Sequence, residues 1–115
     1  MERKLEEVKN CTPHPVVVRV GKKEIVLPPC GIVPRVGTVE TQAEGICGIP
    51  CITQRLGEVE GLPDPEPGVF FLVSALVFQA SNRQDLVCPD TGRTCIRDEQ
   101  GRIVAVTRLI RKGKE

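Results

Sequence analysis

Proline and glycine punctuate this chain, ten of one and eleven of the other in 115 residues. Proline removes a backbone donor and glycine loses the most freedom on ordering, so both belong at breaks between elements. The runs between the breaks are aliphatic and β-branched, as in VVVRV at 16–20. A turn-rich chain of short strands is expected, and a helical bundle is not. The hydrophobic content of 40% is enough for one core, and Leu, Ile and Val supply nearly all of it, with three Phe and no Trp or Tyr.

Residues 1–10 are charged and mixed in sign and are expected to be a tail, as is the basic stretch 111–115. A single β-rich domain is expected over 11–110. VVVRV (16–20) and EIVLP (24–28), joined through GKK, read as a hairpin. IVPRVGTVE (32–40) reads as a third strand with Pro34 at an edge or bulge, and TQAEG as a loop. GICGIPCITQRLGEVEG (45–61) reads as a strand pair or one bent strand. LPDPEPG (62–68) reads as a stiff crossing segment. VFFLV (69–73), apolar on both faces, is the candidate central strand. SALVFQAS (74–81) suits a short helix capped by Ser74 or, equally, a continuation of the strand. DLVCP (85–89) is a further strand, CPDTGRTC a turn, and CIRDEQGRIVAVTRLI a hairpin around Asp-Glu-Gln-Gly. The expected fold is therefore all-β or β-rich α+β. It has seven to nine short strands and at most one short helix, as a small partly closed barrel or a two-layer sheet.

A net charge of +1 gives no global field toward nucleic acid or an anionic membrane, and the lack of Trp and Tyr removes the best stacking platforms for bases. The longest apolar run, VFFLVSALVF (69–78), is too short to cross about 30 Å of hydrocarbon as a helix. MERKLEEVKN has no apolar segment of a signal peptide, and no lipidation pattern is present. A cytoplasmic protein without membrane contact is expected.

Six cysteines in such a compartment are thiols or metal ligands, or structural disulfides in the cytosol of a hyperthermophile. Cys88 and Cys95 flank PDTGRT, so a hairpin there would let them bridge; closing that loop would contribute about 2–3 kcal/mol. Cys47 and Cys51 form a second candidate pair. Together, Cys47, Cys51, Cys88 and Cys95 are a lesser candidate for a four-thiolate zinc site, because C-x3-C and C-x6-C are not knuckle spacings. No cofactor is expected otherwise. Small buried hydrophobes are the third reading of the thiols.

The one histidine, His14, sits in CTPHPVVV between Pro13 and Pro15 and three residues after Cys11. It is a candidate base, metal ligand or partner of a Cys11 nucleophile; the plainer reading is a strand-entry residue bonded to a loop carbonyl. Arg83, Asp85, Arg97, Asp98 and Arg102 form either an anion- or nucleotide-binding rim or an Arg–Asp network that pins the last hairpin. Arg102, Arg108, Arg111, Lys112 and Lys114 make the C-terminal end basic, balanced in part by Glu2, Glu6 and Glu7, so a solvated face is favoured over nucleic-acid contact. No nucleophile elbow, P-loop, H-E-x-x-H or dinucleotide fingerprint occurs.

Three segments together carry a resemblance: Thr12-Pro13-His14 before a strand; Gly61, Leu62, Pro63, Pro65 and Gly68 followed by Val73 and Ser74; and Asp85, Leu86 and Pro89 followed by Arg97, Asp98, Gly101 and Arg102. In this order, across most of 11–106, the chain resembles small uncharacterised proteins of bacteria and their phages. The chain departs from that pattern in its cysteines, with Cys30, Cys88 and Cys95 standing where other residues are expected, and in Ile96 for Val. The resemblance implies a shared fold and no activity.

The leading expectation is a non-enzymatic binding or assembly protein, of viral or mobile-element origin, that presents a sheet face or edge to a protein partner or to itself. The alternative is a small-molecule or nucleotide-binding protein, conceivably a hydrolase, with a site around His14, Arg97 and Asp98. A third reading, nucleic-acid binding through the basic end, is the least favoured.

Overall fold

The computed structural model describes residues 6–113 and is built from ten strands and one short helix. Strand β1 (Glu7–Asn10), β6 (Val69–Leu72), β7 (Leu86–Pro89) and β10 (Leu109–Arg111) form a four-stranded sheet in the order β1-β6-β7-β10. The β1–β6 and β6–β7 pairs are parallel and β7–β10 is antiparallel. Three two-stranded ribbons surround it: β2 (Val16–Val20) with β3 (Lys23–Leu27), β4 (Arg35–Ile46) with β5 (Ile49–Glu60), and β8 (Ile96–Arg97) with β9 (Ile103–Ala105).

The apolar segment 69–73 behaves as its composition dictates. β6 is paired on both sides, and Phe71, Leu72 and Val73 are buried. A parallel step from β6 to β7 needs a crossover of about a dozen residues. Residues 73–85 supply it, containing helix α1 (Ala75–Ala80). Ser74 caps that helix by accepting from the Val77 amide at 3.3 Å. Val77 lies in the core with Cys11, Phe71, Val73 and Leu86, and Val36, Val59, Leu62, Val69 and Phe78 pack against this cluster.

The fold is thus β-rich with one short helix, as the residue pattern implies, but none of its sheets closes into a barrel. The reason lies in β4 and β5. These twelve-residue strands pair only with each other and extend away from the body, so they cannot wrap around it. TQAEG, expected to be a loop, is part of β4. The chain instead reverses at Cys47-Gly48, whose φ angles of 52° and 77° are those of a type I′ hairpin turn. Gly45 and Pro50, which look like strand breakers, are absorbed by an irregularity in pairing between Ala43 and Ile46.

The expected tails also need correction. Glu7–Asn10 is an edge strand of the main sheet, held by the Glu7 amide to the Gly68 carbonyl and by the Cys11 amide to the Leu72 carbonyl, at 2.8 and 2.7 Å. Parallel pairing with β6, more than fifty residues away, recruits a segment whose own apolar content is a single valine. Arg111 closes β10 at the far edge. The remainder of the expected tails, residues 1–5 and 114–115, lies outside the described residues. Among the described residues no helix is long and apolar enough to cross a membrane.

Candidate functional site

The opening around His14 is organised by a residue the sequence reading passed over. Asn10, at 2% exposure, is the buried polar residue at the end of β1. Its Nδ2 donates to the carbonyls of His14 and Leu27 at 2.8 and 2.7 Å, and its Oδ1 accepts from the Thr12 amide and hydroxyl at 2.9 and 2.6 Å. One amide therefore ties the main sheet, the Thr-Pro-His-Pro turn and the end of β3. Asn10-Cys11-Thr12 has the N-x-T pattern of a glycan acceptor, yet in the folded chain its nitrogen is buried and already donates twice. An asparagine two residues before Thr-Pro, the spacing at which an Asx side chain bonds its own backbone, was the signal available.

His14 takes part through its backbone. Its carbonyl accepts from Asn10 and lies 2.9 Å from the Thr12 hydroxyl oxygen, while the imidazole lies on the exposed side of the turn. Cys11 points inward instead, and its sulfur meets Cys30 at 3.6 Å. Burial, then the hydrogen bond and charge of Cys30, push the Cys11 thiol up to about 12. A Cys11–His14 nucleophilic pair is not assembled.

The arginine and aspartate candidates separate into two clusters. Arg83 grips Asp85 through two parallel bonds of 3.0 and 2.6 Å, donates to the Pro63 carbonyl at 2.7 Å, and lies over the Phe71 ring at 5.7 Å. It fastens the proline-rich 62–68 segment to the start of β7, and Asp85 raises its pKa further. Arg97, Asp98 and Arg102 shape the β8–β9 turn. The Arg97 guanidinium donates to the Gly101 carbonyl at 2.6 Å, and Asp98 accepts from the Gln100 and Arg102 amides, both at 2.9 Å.

The basic end is likewise engaged within the molecule. Arg108 bonds Asp90 at 2.6 Å and holds its carboxyl below the usual range, Arg111 covers the Phe70 ring, and Lys112 donates to the Phe78 carbonyl at 2.6 Å. An open depression of ≈ 610 Å³ is lined by Glu66, Phe70, Asp85 and Arg111 among others. Two of its carboxylates are paired, Glu66 with Lys9 at 3.2 Å and Asp85 with Arg83. A smaller apolar depression of ≈ 180 Å³ is lined by Pro15, Val17, Ile103 and Val104. Neither is lined by His14, Arg97 or Asp98.

All six cysteines are free. The four thiols considered for zinc are not gathered: Cys47 and Cys51 ride on the β4–β5 ribbon, whereas Cys88 is buried in the main sheet, and no cluster of metal-ligating side chains occurs among the described residues. Cys88 and Cys95 do not bridge, because β7 pairs with β10 and sets Cys88 opposite Ile110. The 90–94 segment is a separate turn in which Asp90 accepts from the Gly92 amide. Cys51 sits opposite Ala43 in the ladder, away from the turn that holds Cys47.

What remains uncommitted is the β4–β5 ribbon. At its root Val36 and Val59 pack on the core. Beyond Thr38 it becomes a free arm, about 26 Å along the extended residues 39–46. Near its end Ile46, Ile49 and Ile52 are 65%, 61% and 51% exposed, with Cys47 exposed at the turn between them. The whole molecule measures 63 × 39 × 31 Å with a radius of gyration of 17.4 Å, against about 13 Å for a compact domain of this length. Comparison with family models, curated proteins and solved structures finds no match to this chain.

Proposed function

We propose that this protein is a non-enzymatic assembly module that engages a second copy of its own chain through the β4–β5 arm. The observation that carries this reading is the projecting ribbon with three exposed isoleucines at its end. A two-stranded ribbon is marginal by itself in water, and three or more strands with an apolar face are needed for independent stability. Two arms side by side make four strands. The outer edges of β4 and β5 offer unpaired amides and carbonyls over twelve residues each, and between Thr38 and Gln54 the only charges are Glu40 and Glu44, with no lysine to discourage edge pairing. The polar candidates elsewhere have roles in holding turns and segments, which supports a structural protein over a catalyst. Origin in a virus or mobile element is part of the same proposal and rests on the order of the three sequence segments alone.

Light scattering on the purified chain tests the proposal. The 12.6 kDa chain is expected to run at twice its mass or more at micromolar concentration. The Ile46→Ser/Ile49→Ser variant is expected to run as a monomer with an unchanged far-ultraviolet spectrum. A wild-type chain that stays monomeric at its highest soluble concentration overturns the reading, as does a double variant that assembles as well as wild type.

A further inference from the structure

We propose that Cys11 and Cys30 are a redox-responsive pair that closes to a disulfide and staples the end of β1 to the connection between β3 and β4. Their sulfurs are 3.6 Å apart. Bond formation needs them about 1.5 Å closer, within reach of small side-chain rotations. The backbone already holds the pair in place. The Cys30 amide donates to the Asn10 carbonyl at 2.8 Å, Asn10 and Pro29 form a parallel bridge, and the Cys11 amide is tied to Leu72. Two residues adjoining such a bridge have neighbouring Cα atoms, as a disulfide requires. Pro28 and Pro29 stiffen the approach, and Gly31, at φ 96°, turns the chain away immediately afterwards.

The two thiols are unequal. Cys30 is exposed and Cys11 is buried beneath it, so chemistry starts at Cys30. With a small-molecule disulfide such as glutathione disulfide as oxidant, Cys30 loses its proton and its sulfur attacks one sulfur of the oxidant. The S–S bond breaks and one glutathione thiolate leaves and takes up a proton. Cys11 then gives up its proton and attacks the Cys30 sulfur. The bond from Cys30 to glutathione breaks and a second glutathione departs. Two protein thiols have lost two electrons and two protons, and the oxidant has become two glutathione molecules. The closed loop runs from residue 11 to residue 30 and contains the β2–β3 hairpin. That hairpin otherwise joins the body through the Asn10 amide and through Arg19 and Val17 bonding to Val106 at 2.8 and 2.9 Å.

The test is oxidation of the full chain with glutathione disulfide, alkylation of the remaining thiols and digestion without reduction. An intramolecular Cys11–Cys30 link is expected, with a rise in melting temperature on the order of 10 °C that dithiothreitol reverses. Cys30→Ser, an exposed substitution, is expected to lose both the link and the rise and to melt with the reduced wild type. The proposal fails if both cysteines remain alkylatable after oxidation, if the link joins other cysteines, or if Cys30→Ser keeps the oxidative rise. The readout is internal to one chain, so it stands or falls independently of assembly through the arm.

Discussion

Asn10 satisfies four hydrogen bonds from a position water does not reach, and it does so with one side chain. The net worth of a bond made on folding is small, but a buried group left without its partner costs about 1–3 kcal/mol. Replacing Asn10 by Ala strands the Leu27 carbonyl and the Thr12 amide together, so Asn10→Ala is expected to lower stability by about 2–4 kcal/mol, read as a lower urea midpoint. His14→Ala is expected to change it by under about 0.5 kcal/mol, because the backbone carbonyl of residue 14 carries its contribution. A result in which the histidine substitution costs more than the asparagine one would reverse this account. The sequence draws the eye to the imidazole because histidine is rare and chemically versatile. A buried asparagine leaves no comparable trace, since its value depends on one amide and two carbonyls brought together from 2, 4 and 17 residues away. The Arg–Asp network expected at the last hairpin divides in the structure, because Arg83 pairs with Asp85 and reaches the Pro63 carbonyl, a partner 20 residues away that no local pattern announces.

Among the elements, the β4–β5 arm depends on how it disposes of its glycines. A methyl group added at Gly45 would stand 2.8 Å from the Ile49 carbonyl oxygen, a backbone atom that cannot move without disturbing the turn. Gly45→Ala is therefore expected to loosen the end of the arm. Amide exchange from Ala43 to Cys51 should rise about tenfold, equivalent to about 1.4 kcal/mol of local opening, while Phe71, Leu72 and Val87 stay protected. Unchanged exchange at the arm would show that the irregular pairing there is tolerant of a side chain. The elements read most directly from sequence were the short ones: β2–β3, β6 and β7 all lie within a residue or two of expectation, because each is bounded by its own local signals, while 74–81, open to helix or strand in the sequence, is helical over Ala75–Ala80. The arm was misread because Gly45 and Pro50 signal breaks locally, yet twelve-residue strands can carry an irregularity and continue.

At the scale of the whole molecule, the body and the arm are separable in energy. Most burial lies in the main sheet and helix, and only the arm's root joins that core. Val39 and Arg55 face each other across the ladder, so residues 40–54 can be replaced by an Asn-Gly turn joining them. The shortened chain is expected to unfold cooperatively, with a midpoint close to wild type, to have a radius of gyration nearer 13 Å by small-angle scattering, and to be monomeric. Failure of this variant to fold would show that the arm is part of the core. The sequence by itself determined that the chain would be β-rich, with at most one short helix and its aliphatic centre at 69–73, because strand and turn preferences act over a few residues and proline and glycine mark their limits. Tertiary structure alone decided that residues 7–10 would join a sheet, that the sheets would stay open, and that Cys11 would meet Cys30. Those outcomes rest on contacts between segments tens of residues apart, where the deciding quantity is which surfaces can be buried together, and no local pattern carries that quantity.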